Sequence, residues 1–103
     1  MRRVIVRYKV KPGRASENEG YIARVFEQLA NERPEGVQYA VFKLDDGVSF
    51  VHIAASEAEK GRNPLTELSA FKTFTADIRD RCDEPPSTTD LREMVGSYGF
   101  WGD

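Results

Sequence analysis

Hydrophobic and polar positions organise the chain first around residues 37–44 and 48–54, two runs of β-branched and aromatic side chains separated by Asp45, Asp46 and Gly47. Aspartate followed by glycine supplies the positive φ of a tight turn, so this stretch predicts a β-hairpin. Two strands cannot bury their apolar side chains alone, and a helix or a second sheet must cover them. Residues 3–10 also alternate, with Val4, Val6, Tyr8 and Val10 on one face and Arg3, Ile5, Arg7 and Lys9 on the other. They predict a first strand that Lys11, Pro12 and Gly13 end. Ser16 and Glu19 then have the spacing of a capping box, and Tyr21, Ile22, Val25, Phe26 and Leu29 recur at helical intervals while Glu17, Asn18, Arg24, Glu27 and Gln28 fall elsewhere. Pro34 and Gly36 break this helix before the hairpin.

Beyond the hairpin, residues 57–62 are charged and contain Gly61, the composition of an exposed loop. Asn63 and Pro64 form a helix-start signal, after which Leu65, Leu68, Phe71, Phe74, Ile78 and Cys82 recur every three or four residues, with a division at Ser69-Ala70 into a short turn and a longer helix. Asp83, Glu84, Pro85 and Pro86 read as a stop, and residues 88–98 return to an extended pattern as a last strand. The order strand, helix, strand, strand, helix, strand is the ferredoxin-like βαββαβ arrangement, an α+β fold in which two helices cover one face of a four-stranded antiparallel sheet. Ile5, Val51 and Ile53 put apolar side chains on the opposite face too, which predicts a homodimer pairing its sheets face to face. Tyr98, Phe100 and Trp101 place three large rings in the last six residues, a surface for a partner subunit to cover.

Composition narrows the function classes. A chain of 103 residues has the length of one domain, here 1–103, and 40% hydrophobic with 31% charged residues is an ordinary globular balance. Fifteen basic residues against seventeen acidic give a net charge of -2, which offers no global attraction to nucleic acid or an anionic membrane. The first sixteen residues are basic, with Arg2, Arg3, Arg7, Lys9, Lys11 and Arg14, but Asp90 and Glu93 on the neighbouring last strand are expected to pair with Arg7 and Lys9. RNA-platform sheets carry a glycine-aromatic cluster on the third strand, whereas residues 50–54 contain no glycine; no nucleic-acid partner is expected. The start is interrupted by charge and no long apolar run follows, so the expected location is the cytoplasm, which suits the lone Cys82.

The run of residues 4–13 into a Lys-Pro-Gly turn, the segment Gly36, Val37, Gln38, Tyr39, and residues 68–74 in the second helix together resemble the dimeric α/β-barrel superfamily. Within it, the likeness is to the antibiotic-biosynthesis-monooxygenase-like and stress-responsive domains. The resemblance implies a homodimer whose two sheets form a barrel, with a pocket in each subunit between sheet and helices for a small apolar or aromatic ligand. That superfamily includes cofactor-independent monooxygenases of polycyclic phenols and haem-degrading enzymes. The haem degraders use an asparagine on the first strand and a tryptophan and a histidine on the second helix, positions that here align with Val6, Leu65 and Thr75. None of these can serve as an axial imidazole, so haem chemistry of that type is disfavoured.

His52, the single histidine, lies mid-strand on the face of Phe50 and Ala54. Its ordinary pKa near neutrality suits a general base that accepts a phenolic proton; its alternative is a core or interface histidine hydrogen-bonded to a neighbour. Tyr8 and Tyr39 could turn hydroxyls into the same cavity to orient a substrate oxygen, or simply pack. Asn63, Thr66, Thr73 and Thr75 are further polar groups beside the second helix. One histidine and scattered carboxylates give no metal-ligand spacing, and no glycine-rich phosphate loop or nucleophile elbow is present, so no metal or cofactor is expected. Two function classes stand: a cofactor-independent oxidoreductase with His52, Tyr8 and Tyr39 as its catalytic groups, or a non-catalytic binding or interaction protein of the same fold.

Overall fold

The computed structural model describes residues 1–57 and 62–100. Trp101 and most of the charged loop expected at 57–62 therefore lie outside the described residues. The chain runs β1 (Arg2–Val10), α1 (Ala15–Glu32), β2 (Val37–Lys43), β3 (Ser49–Ser56), α2 (Ser69–Ala76), α3 (Ile78–Arg81) and β4 (Cys82–Leu91). The four strands form one antiparallel sheet in the order β2-β3-β1-β4, the expected ferredoxin-like topology.

The hairpin turns where the Asp-Asp-Gly run requires it. Gly47 has φ 76°, and the Asp46 carboxylate accepts from the backbone N–H of Val48 at 3.0 Å and of Ser49 at 2.8 Å, and from the Ser49 hydroxyl at 2.5 Å. These bonds hold the Asp46 carboxyl down to about 2, the Ser49 hydroxyl contributing most.

The helix α1 starts earlier than the capping-box spacing predicts. Gly13, at φ 87°, turns the chain so that Arg14 is the cap, and Ser16 lies inside the first turn without a capping bond; Arg14 and Glu17 pair there instead at 2.8 Å. Its C-terminus follows the expected break, with Arg33 left-handed at φ 47° and its N–H bonded to the Leu29 carbonyl. The second helical segment divides near Ser69, as its pattern allowed. Asn63 Oδ1 caps a turn through the N–H of Leu65 and Thr66, and α2 begins at Ser69. Asp77 then separates α2 from the single turn of α3.

The last strand corrects the sequence reading. It spans Cys82–Leu91, not 88–98, so Cys82 leaves the helix and the supposed stop at 83–86 lies inside β4. Proline removes a ladder donor, but β4 is an edge strand and its register with β1 shifts between Arg7↔Ser87 and Lys9↔Glu84, a bulge that accommodates Pro85 and Pro86. The ion pairs change accordingly: Lys9 reaches Glu84 at 4.0 Å and Arg2 reaches Asp90 at 3.2 Å, while Glu93 lies beyond the strand.

The core forms between the helices and one sheet face, from Tyr8, Val10, Phe50 and Ala54 of the sheet, Val25 of α1, and Leu65, Leu68 and Phe74 on the α2 side. The opposite face carries Ile5, Val51 and Ile53 at intermediate burial, with Phe42 50% exposed. Tyr98 is 96% and Phe100 62% exposed, so the single chain does not cover these two rings. Among the described residues, no helix is long and apolar enough to cross a membrane.

Because the Asp46 carboxyl titrates lower in the folded chain than its ordinary 3.8, the folded state binds fewer protons than the unfolded state between those values. Its stabilising contribution is complete above about pH 4 and fades as pH falls towards 2. Asp46→Ala should lower the thermal midpoint at pH 7 and lower it by less at pH 2, as followed by circular dichroism.

Candidate functional site

Strand pairing brings the three sequence-predicted residues together. His52 sits opposite Val6 on β1 and Val41 on β2, while Tyr8 and Tyr39 lie opposite Phe50 and Ala54, its neighbours two residues away. Each tyrosine is thus a diagonal neighbour of His52 on the helix-covered face, one from each flanking strand, within reach of a long side chain. The Tyr8 hydroxyl lies 2.7 Å from His52 Nε2, and the Tyr39 hydroxyl lies 2.5 Å from Nδ1. Both imidazole nitrogens are occupied, so His52 presents no free nitrogen to a ligand.

Burial sets the protonation of all three. Tyr8 is 2% and His52 5% exposed. Desolvation penalises the charged form, so it raises both tyrosine hydroxyls far above their ordinary value and lowers the imidazole to about 4. At neutral pH the cluster is therefore two phenols and one neutral imidazole. Rings fix its geometry: Phe74 stacks on His52 at 5.4 Å between centroids, Phe50 on Tyr8 at 5.5 Å, and Phe26 on Tyr39 at 5.1 Å.

Two polar residues that the sequence reading left aside support the cluster. Asn18, on α1, donates from Nδ2 to the Tyr8 hydroxyl at 2.8 Å and accepts from Arg81 Nε at 3.3 Å. Arg81, at the end of α3, donates from Nη2 to the Phe74 carbonyl at 2.8 Å, and its guanidinium carbon lies 4.5 Å from the Tyr21 ring centroid. Both are completely buried. A signal existed for each: Asn18 falls three, four and seven residues before Tyr21, Ile22 and Val25, and Arg81 falls three and seven residues after Ile78 and Phe74. A polar residue on an apolar stripe must find a buried partner.

Tyr8, Tyr39 and His52 line a cavity of about 330 Å³ between sheet and helices. Val4, Val6, Leu65, Phe71 and Ile78 give it apolar walls, and Arg2, Asn63, Thr66, Thr75 and Thr88 add polar groups to its lining. Thr73 does not contribute; its hydroxyl bonds back to the Ser69 carbonyl. Val6, Leu65 and Thr75, the positions that the resemblance sets against the haem-degrading residues, line the cavity and carry no imidazole, and both nitrogens of His52 are engaged. Among the described residues, no group of three or more His, Cys, Asp or Glu side chains is placed to hold a metal ion. Cys82 is buried, and burial raises its thiol, which disfavours the thiolate.

No family model matches the sequence, and no curated protein matches it. Solved structures do match the fold. A Nitrosomonas europaea protein described as a candidate antibiotic biosynthesis monooxygenase is 18% identical with TM-score 0.74, over 94% of this chain and 93% of its own. A Mycobacterium tuberculosis protein is 15% identical with TM-score 0.74, over 94% of this chain and 98% of its own. An antibiotic biosynthesis monooxygenase is 15% identical with TM-score 0.74, over 91% of this chain and 99% of its own. At such identity the likeness is one of architecture: the chain has the fold of the antibiotic-biosynthesis-monooxygenase-like domains.

Proposed function

We propose that the chain forms a homodimeric barrel, binds a small aromatic ligand in the cavity between sheet and helices, and there oxygenates an electron-rich phenol or quinol without a cofactor. The observation that carries this reading is the convergence of Tyr8, His52 and Tyr39 in the wall of an otherwise largely apolar cavity. Such a space suits a flat ring and offers its oxygen an oriented hydrogen-bonding group. An ionised phenol can give electrons to dioxygen directly. One oxygen atom joins a ring carbon, and the other leaves as water with the hydrogens from that carbon and the hydroxyl. Since both imidazole nitrogens are engaged, His52 acts on a bound ring only through Tyr39, orienting that hydroxyl toward the ring oxygen, while Tyr8 holds the imidazole from the other side. The apolar outer sheet face supports the dimer, because pairing two such faces about a two-fold axis removes Ile5, Phe42, Val51 and Ile53 from water.

A non-catalytic binding protein is the second reading, favoured by one observation: the hydrogen bonds of the cluster are satisfied internally, as those of a purely structural polar group are. Oxygen uptake with a panel of phenols and quinols separates the two. Catalysis predicts turnover that drops by about 10²-fold in Tyr39→Phe while the far-UV spectrum is unchanged. Binding without oxygen uptake leaves the second reading. For the dimer, Ile53→Glu should shift the sedimenting species to monomer without unfolding the chain; a wild-type monomer would defeat this part of the proposal.

The neutral imidazole has a further consequence. The folded state holds His52 unprotonated down to about pH 4, whereas the unfolded chain takes up its proton near 6.5. Stability from this site is complete above 6.5 and is lost at about 1.4 kcal/mol per pH unit below it, about 3 kcal/mol by pH 4. Urea unfolding should show stability falling as pH is lowered from 7 to 5, and the ring protons of the native state should show no titration near 6.5 by NMR.

A further inference from the structure

The hydrogen bonds of the cluster run in one direction, and the end that fixes the direction is Arg81. A guanidinium only donates, so Arg81 Nε must meet the oxygen of the Asn18 amide, at 3.3 Å. The Asn18 Nδ2 then faces Tyr8 and donates to its hydroxyl at 2.8 Å. With that lone pair used, the acceptor within reach of the buried Tyr8 proton, among the described residues, is His52 Nε2 at 2.7 Å. A neutral imidazole accepting at Nε2 carries its own proton at Nδ1, which donates to the Tyr39 oxygen at 2.5 Å. The Tyr39 proton finds no acceptor among the described residues, and Tyr39 lines the cavity. A doubly protonated His52 would orphan the Tyr8 proton and add a second cation to a core in which Arg81 already lacks a carboxylate partner among the described residues.

We infer that Arg81 and Asn18 are positioning residues that fix His52 as its Nδ1–H tautomer, so that Tyr39 is a hydrogen-bond donor to the cavity and the site takes an aromatic ligand through an acceptor oxygen, a carbonyl or an ionised phenol. This deepens the reading of the cavity as a ligand site and rests on it, but not on turnover. It sets the form in which a phenol is held: the proton is gone before the ring oxygen settles on Tyr39, or the ring is held as its keto tautomer.

Asn18→Asp tests the polarity with almost no change of shape. A carboxylate only accepts, so Asp at 18 takes the Tyr8 proton and gives Arg81 a counter-charge. The Tyr8 oxygen then accepts from Nε2–H, Nδ1 accepts from Tyr39, and Tyr39 turns a lone pair to the cavity. His52 is the only histidine, so ring ¹⁵N shifts report its tautomer without assignment. Two rigid bicyclic probes of similar size report the ligand preference: 1-indanone, which only accepts, and indole, which only donates. The expected result is Nδ1–H in wild type with 1-indanone bound about tenfold tighter than indole, and Nε2–H in Asn18→Asp with the preference reversed. Should Asn18→Asp fail to fold, Tyr39→Phe serves: it should weaken 1-indanone about tenfold and leave indole unchanged. Nε2–H in wild type, an unchanged tautomer in a folded Asn18→Asp, or an indole preference in wild type would each overturn the inference alone. The Nδ1–H tautomer with neither probe bound would overturn the ligand class together with the reading of the cavity.

Discussion

A buried imidazole needs two hydrogen-bond partners, and much of this fold is arranged to supply them. His52 lies on a central strand, and each flanking strand offers it a tyrosine hydroxyl from a diagonal position. That arrangement depends on register. A slip of one residue between β3 and either neighbour would turn a tyrosine to the other face and leave a buried polar group unpaired, a cost comparable to a whole hydrogen bond. The cluster therefore specifies the strand pairing as much as it is positioned by it.

The same need propagates outward. Tyr8 takes a second partner, which brings Asn18 into the apolar stripe of α1, and Asn18 brings Arg81 in from α3. Arg81 is then left under rings, 4.5 Å from the Tyr21 centroid and 5.4 Å from that of Phe74, with Nη1 lacking a hydrogen-bond partner among the described residues. Guanidinium is the cation best suited to such a place, because it is weakly hydrated and stacks on aromatic faces. An apolar side chain would pack there at less cost in desolvation. A charge kept where packing alone does not require it is consistent with a polar chain that orients the site.

Asymmetry between the sheet edges completes the picture. The edge strand β4 tolerates Pro85 and Pro86 because a register shift lets them sit beside β1 without a full ladder. One sheet face is closed by helices over the cavity, while the other remains partly apolar in the single chain. The cavity lies on the first face and the partly apolar surface on the second, and alternation along the strands keeps them separate.

How far the sequence reached can be followed residue by residue. The period of two in β1 and the hairpin, the Asp-Gly turn and the helical spacing of 21–29 dictated elements and topology, since each depends on neighbours close along the chain. Those periods also put Tyr8, His52 and Tyr39 on strands and gave them their candidate roles. The sequence misjudged what depends on neighbours far along the chain. Proline reads as a stop until the strand holding it is known to be an edge, so local pattern alone starts the last strand at 88 instead of 82. Asn18 reads as a residue of the polar side of its helix because composition cannot reveal that Tyr8 and Arg81 wait on the buried side. Residue types and local period determined which groups this protein possesses. Only the packing of β1, β2, β3, α1 and α3 decided which hydroxyl meets which nitrogen, because hydrogen bonding in a water-poor core is settled by distances of a few ångströms between residues as many as 63 positions apart.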